Sequence, residues 1–213
     1  MSLRLVLLGA PGSGKGTQAA SIGENYHLFN LSLGKIIRDE IGSGSVLGNS
    51  IQEYAASGSL IPDTIVVEIF KSSFRPYIDG GFILDGFPRT VSQAVVLDQL
   101  LDVVGQETLQ VFYLQVDLVH LMKRLLGRRV CTGCGMLYHT EYSPSKILDV
   151  CDVCLGALMT RPDDNELVIR NRFQVFENEI NELVEYYGDR LVSVSALDSP
   201  ANVYNKIIEK FYV

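Results

Sequence analysis

Leu3-Arg4-Leu5-Val6-Leu7-Leu8-Gly9-Ala10-Pro11-Gly12-Ser13-Gly14-Lys15-Gly16-Thr17 is the stretch on which the reading of this 213-residue chain turns. Its first six residues form an apolar run of strand length, and the glycine-rich segment leads into a stretch of helical period from Lys15 to Asn25. Strand, loop and helix in that order are the context a phosphate loop requires. Glycines let successive backbone N–H groups turn inward around an anion, the helix N-terminus adds its positive end, and Lys15 supplies an ammonium to the β and γ phosphates. One departure stands out. The usual pattern has Ser or Thr directly after the lysine, whereas here Gly16 holds that place and Thr17 follows, so the group that holds magnesium is sought elsewhere.

Working outward, short apolar runs alternate with helical stretches. Leu3 to Leu8, Leu28 to Leu31, Phe82 to Leu84, Val111 to Val116 and Leu191 to Val194 read as strands, and such near-continuous apolar strands imply a parallel sheet buried on both faces. Helices are expected over Lys15 to Asn25, Gly34 to Ile41, Asp63 to Phe74, Val91 to Leu101, Leu118 to Leu126 and Asp163 to Tyr187. The alternation makes the chain α/β and doubly wound, with ligands at the carboxyl ends of the strands. Lys and Arg number 18 against 25 Asp and Glu, a formal charge of -7. That balance disfavours a general nucleic-acid or anionic-membrane binder, whose footprint is usually basic. No stretch has the roughly 18 consecutive apolar residues of a membrane span, and the apolar run at the N-terminus meets the glycines too soon for a signal peptide. A cytoplasmic protein is expected.

Residues 128 to 160 break the pattern, being rich in cysteine, glycine and turn residues, and read as an inserted module. Cys131-x2-Cys134 and Cys151-x2-Cys154 are two knuckle-like pairs with sixteen residues between them, the spacing of a zinc ribbon. Four thiolates complete a tetrahedron and leave no open position, so the metal would be structural zinc.

The segment Gly9-x-Pro11-Gly12-x-Gly14-Lys15-Gly16-Thr17 resembles the adenylate kinase form of the phosphate loop, and Phe82-Ile83-Leu84-Asp85-Gly86-Phe87-Pro88-Arg89-Thr90 is similar to the second signature of that family. The cysteine spacing resembles the lid of zinc-containing, long-lid bacterial members. The resemblance covers essentially the whole chain and is weakest in the last twenty residues. It implies a five-stranded P-loop kinase fold with a core of residues 1–31, 62–127 and 161–213, a monophosphate-binding arm at 32–61 and a zinc-ribbon-like lid at 128–160. The implied activity is reversible transfer of the γ-phosphoryl of MgATP to AMP, giving two ADP.

Residue by residue, the resemblance assigns ATP to Gly12, Ser13, Gly14, Lys15, Gly16 and Thr17, with Arg124, Arg128, Leu137, Tyr138 and Asp198. It assigns AMP to Leu33, Arg38, Ser59, Leu60, Ile61, Gly86, Phe87, Pro88, Arg89, Gln93, Arg161 and Arg172. Lys15, Asp85, Arg89, Arg124, Arg128, Arg161 and Arg172 carry the catalysis, and Cys131, Cys134, Cys151 and Cys154 bind the metal. Asp163 and Asp164 match paired carboxylates at the lid edge, where helix capping is the competing role. Arg124 and Arg128, four apart, are expected to share a helix face. A solvated helix charge is an equal reading of Arg38 on the residues alone. Leu33 and Lys35 depart from the family's Thr and Asp, and a Thr hydroxyl beside bound AMP is what the resemblance implies at position 33. Arg129 and Arg170 read as surface, and His27, His120 and His139 receive no catalytic role.

The expected partners are ATP, AMP and ADP, with Mg2+ accompanying ATP, no nucleic acid, no membrane and a monomeric chain. Three alternatives stay open: another monophosphate acceptor, GTP as donor, or a nucleotide-switched zinc-ribbon binding module.

Overall fold

The computed structural model describes residues 3–102 and 109–211. Five strands, β1 (Arg4–Gly9), β2 (Phe29–Ser32), β3 (Phe82–Asp85), β4 (Leu109–Gln115) and β8 (Leu191–Ser195), form one sheet in the order β2-β3-β1-β4-β8. Every neighbouring pair is parallel. Successive side chains on a strand point to opposite faces, and the two halves of the core follow from that rule. Val6 and Leu8 of β1, Phe82 and Leu84 of β3 and Leu109 and Val111 of β4 enter one apolar cluster, with Phe70, Phe74, Phe87 and Leu97. Leu5, Leu7, Ile83, Phe112 and Leu114 enter the other, with Ala19, Ile22, Val203 and Ile207. Helices α1 (Lys15–Tyr26) and α8 (Pro200–Ile208) cover the second face; α2 (Leu33–Gly42), α4 (Asp63–Phe74), α5 (Val91–Leu101) and α7 (Glu166–Tyr187) supply residues to the first. All five expected strands are present, displaced by a residue or two at their ends.

Three helical expectations are corrected. Neither α8 nor α3 (Val46–Ser57) is among the expected helices, and α3 follows Gly42-Ser43-Gly44-Ser45. Ser45 caps it, its hydroxyl accepting from Gly48 N at 2.8 Å, and Gly48 is needed for a different reason. A Cβ there would collide with the Glu40 carbonyl of α2, so the glycine lets two helices approach backbone to backbone. Helix α7 starts at Glu166, not Asp163, with Asn165 Oδ1 accepting from Val168 N at 3.1 Å. Asn165 therefore holds the capping role and leaves Asp163 and Asp164 free for other partners.

After α6 (Leu118–Leu126) the chain builds a separate antiparallel sheet of β5 (Arg128–Cys131), β6 (Leu137–His139) and β7 (Leu158–Met159), in the order β6-β5-β7. Its own small core is Cys131, Tyr138, Cys151 and Leu158. Among the described residues no helix is long and apolar enough to cross a membrane.

Candidate active site

The site lies at the carboxyl ends of β1, β2, β3 and β8. Strand β1 ends in Gly9, where a Cβ would stand 2.6 Å from Ser13 Oγ and 2.9 Å from the Leu114 carbonyl. Gly12 and Gly14 then take positive φ of 84° and 100°, conformations that L side chains rarely tolerate. Gly14 provides no side chain to cap α1, and the helix's first N–H groups are thereby left available to an anion. Lys15 folds back over the loop, donating to the Gly9 carbonyl at 2.7 Å and the Ala10 carbonyl at 3.0 Å.

Asp85 ends β3 directly opposite Ser32, which ends β2. The Ser32 hydroxyl donates to Asp85 Oδ2 at 3.0 Å, and a Cβ on residue 16 would lie 3.3 Å from the same oxygen. A side chain at residue 16 would press on the Asp85 carboxylate, which would have to give by a few tenths of an ångström, while Thr17 is exposed. Ser32 escaped the sequence reading; its signal was that it shares Asp85's position at a strand end.

Around this pair the cations converge. Burial lowers the proton affinity of Lys15, Arg38, Arg89, Arg161 and Arg172, and positive neighbours lower it further: Arg89, Arg172 and Arg128 act on Lys15, Arg128 and Arg172 on Arg38, Arg172 and Arg38 on Arg89, and Arg128 and Arg38 on Arg161. Asp85 opposes the effect at Lys15, Arg38 and Arg89. Guanidinium groups keep their protons in proteins, so their crowding appears as affinity for a polyanion. Two carboxylates restrain the cluster. Asp164 accepts from Arg128 at 2.7 and 2.5 Å, and Asp163 accepts from Arg172 at 2.6 Å. Arg89 Nε donates to the Gly86 carbonyl at 2.9 Å.

Lys15 is pulled down to about 8, first by burial. In the unfolded chain the group keeps its ordinary value near 10.5, so between about 8 and 10.5 the unfolded state binds the extra proton and stability rises with pH across that window. Function should move the other way. The ammonium is lost from the unliganded protein above pH 8, so kcat/KM for ATP should fall there, while bound phosphates shift the corresponding fall in kcat to higher pH. A profile of kcat/KM flat to pH 9.5 would contradict this.

Not every expected residue belongs to this cluster of cations. Arg124 and Arg128 do not share a helix face, because α6 ends at Leu126 and Arg128 opens β5. Arg124 instead bridges the loop to the end of β8, donating to the Ala196 carbonyl at 2.7 Å and reaching the Ser13 carbonyl at 3.5 Å. Tyr138 is buried against the cysteines, whereas Leu137 beside it is partly exposed. The carboxylate of Asp198 is taken by Ser199 N, Asn202 Nδ2 and Lys206 Nζ at the start of α8. Ser59, Leu60 and Ile61 form the connection from α3 to α4, and Gly86, Phe87 and Pro88 the connection from β3 to α5. Gln93 is 1% exposed in the first turn of α5. Arg129 and Arg170 are engaged locally, with the Leu126 and Arg128 carbonyls and with Glu166.

Leu33 has no exposed surface and belongs to the larger core cluster, so its side chain is packed among apolar groups in this arrangement. Leu33→Thr should consequently lower stability by about 2–4 kcal/mol, through lost volume and a buried hydroxyl, measurable by urea denaturation.

Comparison with known proteins agrees with the geometry. The family model for adenylate kinase matches residues 7–192. The chain belongs to the adenylate kinase family. An adenylate kinase of Alkaliphilus oremlandii is 43% identical over 209 residues, covering 97% of both chains. Those of Thermodesulfovibrio yellowstonii and Geobacter sulfurreducens are 41% and 40% identical, over 96% and 97% of this chain and 97% of each relative.

The second centre in this adenylate kinase family member is the cysteine cluster. One sulfur from each of Cys131, Cys134, Cys151 and Cys154 lies within 4.8 Å of the others, with Cys131–Cys154 at 3.3 Å and Cys134–Cys151 at 3.6 Å. Four thiolates at about 2.3 Å from one zinc ion would stand roughly 3.8 Å apart, so the set fits. Gly133 N and Val153 N each approach a sulfur at 3.4 Å. A Cβ on Gly156 would come within 3.1 Å of Cys131 Sγ, so that glycine makes room for the sulfurs. The Tyr138 hydroxyl accepts from Asp152 N at 2.8 Å, which turns its proton toward Cys151 Sγ at 3.4 Å. That bond pulls the Cys151 thiol down to about 6 and favours the thiolate a metal needs.

Proposed function

We propose that the chain transfers the γ-phosphoryl group of MgATP to AMP, reversibly, giving two ADP. The observation that carries this reading is the mutual proximity of Lys15, Arg38, Arg89, Arg128, Arg161 and Arg172, each within electrostatic range of others in the set, with Asp85 among them. A single triphosphate at the loop would not require so many cations from so many segments; two nucleotides meeting phosphate to phosphate would.

In the proposed reaction the loop from Gly12 to Thr17 holds the donor phosphates, and Asp85, with Ser32 donating to it, would hold the magnesium that accompanies ATP. Arg38 and Arg89 hold the AMP phosphate. One of its oxygens attacks the γ phosphorus in line; the new P–O bond forms as the β–γ bridging bond breaks, and ADP leaves. That oxygen is already ionised near pH 7, so positioning and charge neutralisation supply the catalysis and no general base is required. Lys15 and the arginines offset the charge spread over the transferring group. Arg128 and Arg172, held by Asp164 and Asp163, are presented to the phosphates in advance.

By the same reading residues 1–31, 62–127 and 161–213 are the core, 32–61 the monophosphate arm and 128–160 a lid that brings Arg128 to the donor. The cysteine cluster holds structural zinc, which would tie β5, β6 and β7 together. The working form is a cytoplasmic monomer. An assay of diphosphate formation with AMP, GMP, CMP and UMP, each with ATP or GTP, tests the proposal: ATP with AMP should exceed every other pair by at least tenfold. Equal rates across the four acceptors would remove AMP from the reading.

A further inference from the structure

Gln93 sits at the centre of a hydrogen-bond network whose acidic member, Asp63, has no assigned role. Its Nε2 donates to Asp63 Oδ1 at 2.6 Å, and its Oε1 accepts from Arg89 N at 2.8 Å. The other Asp63 oxygen accepts from the Thr90 hydroxyl at 2.7 Å, and that hydroxyl accepts from Gln93 N at 3.2 Å, capping α5. Asp63 opens α4, so one carboxylate joins the starts of two helices to the segment that carries Arg89.

The chemistry of the partners fixes the amide. An ionised carboxylate has only lone pairs to offer, and a backbone N–H has only a proton. The nitrogen of Gln93 must therefore face Asp63 and its oxygen must face Arg89. One N–H and one lone pair remain for a ligand. A 6-aminopurine presents an acceptor, N1, beside a donor, the 6-amino group; a 6-oxopurine presents N1–H beside O6, the reverse order. An amide that can turn over satisfies either edge, and an amide held in one orientation satisfies only one.

We propose that Asp63 sets the selectivity of the acceptor site for a 6-aminopurine, as a positioning residue that locks the Gln93 amide. The inference rests on the reading that Gln93 contacts the acceptor base. Asp63→Asn keeps the size of the side chain but carries an amide that can itself turn, so of the two partners that fix the Gln93 amide only the Arg89 N–H remains. Loss of selectivity is the consequence, since discrimination by a polar edge depends on the wrong ligand meeting groups that cannot pair with it.

AMP and IMP are the probes, because they differ only at this edge. With MgATP saturating, Asp63→Asn should raise KM for AMP several-fold and lower the AMP-to-IMP ratio of kcat/KM by about tenfold or more, with KM for ATP within twofold of the parent. Should the asparagine variant fail to fold, Asp63→Ser carries the same expectation, being too short to reach Gln93. An unchanged ratio, whatever happens to overall activity, would overturn the inference. Gln93→Leu separates the two levels of the argument. If it leaves the ratio unchanged, the reading of Gln93 as a base contact fails; if it collapses the ratio while the Asp63 variants do not, only the role of Asp63 fails.

Discussion

Lys15→Ala is expected to lower turnover on the order of 10² to 10³-fold, the loss that follows removal of one preorganised donor to a charge developing in the transition state. The ammonium caps the Gly9 and Ala10 carbonyls and lies within electrostatic range of Arg89, Arg128 and Arg172. Taking a buried cation out of that crowd relieves repulsion, and of the two carbonyls that lose its hydrogen bonds, that of the buried Ala10 keeps the Ser13 N–H at 3.0 Å. Thermal stability should therefore hold or rise while turnover collapses. That combination separates a catalytic role from a structural one. Near wild-type turnover would end the assignment of the phosphate loop.

Loss of the cysteine-bound metal should produce the second large effect, with the opposite signature. The small core around β5, β6 and β7 consists of two of the cysteines, Tyr138 and Leu158, too little apolar surface to fold alone. Closing four thiolates on one ion would couple metal binding to folding of that unit. Cys151 is wholly buried, so Cys151→Ser removes a ligand where water cannot substitute freely. The variant, or the parent after chelation, should melt roughly 10 °C lower. Substantial activity should persist at low temperature, because the cysteines are not among the groups that converge on Lys15. Elemental analysis finding no metal in protein purified without chelator would refute the zinc assignment.

Much of this was legible in the sequence because strands buried on both faces leave a strong imprint. Leu5 and Leu7 enter one core half, Val6 and Leu8 the other, and no amphipathic alternation is left to blur the signal. The phosphate loop and Asp85 were legible for a related reason, since each ends a strand. Helix α3 was not, because Gly48 marks a close helix contact and a single sequence cannot distinguish that from a turn. Arg124 and Arg128 were misplaced because a spacing of four implies a shared face only while the helix lasts, and α6 stops between them. The environments of Leu33 and Tyr138 depend on tertiary packing that local pattern does not encode. Asp63 is the sharpest case: thirty residues separate it from Gln93 in sequence, and only the meeting of α4 with α5 brings carboxylate and amide together.

Incubation of the purified chain with MgADP as the sole nucleotide, followed by quantitation of all products, tests the phosphoryl-transfer reading most directly. A cleft that seats two nucleotides phosphate to phosphate should convert two ADP into ATP and AMP in equal amounts, and Lys15→Ala should abolish both products together. Release of inorganic phosphate without matching ATP, or no change in the ADP, would contradict it.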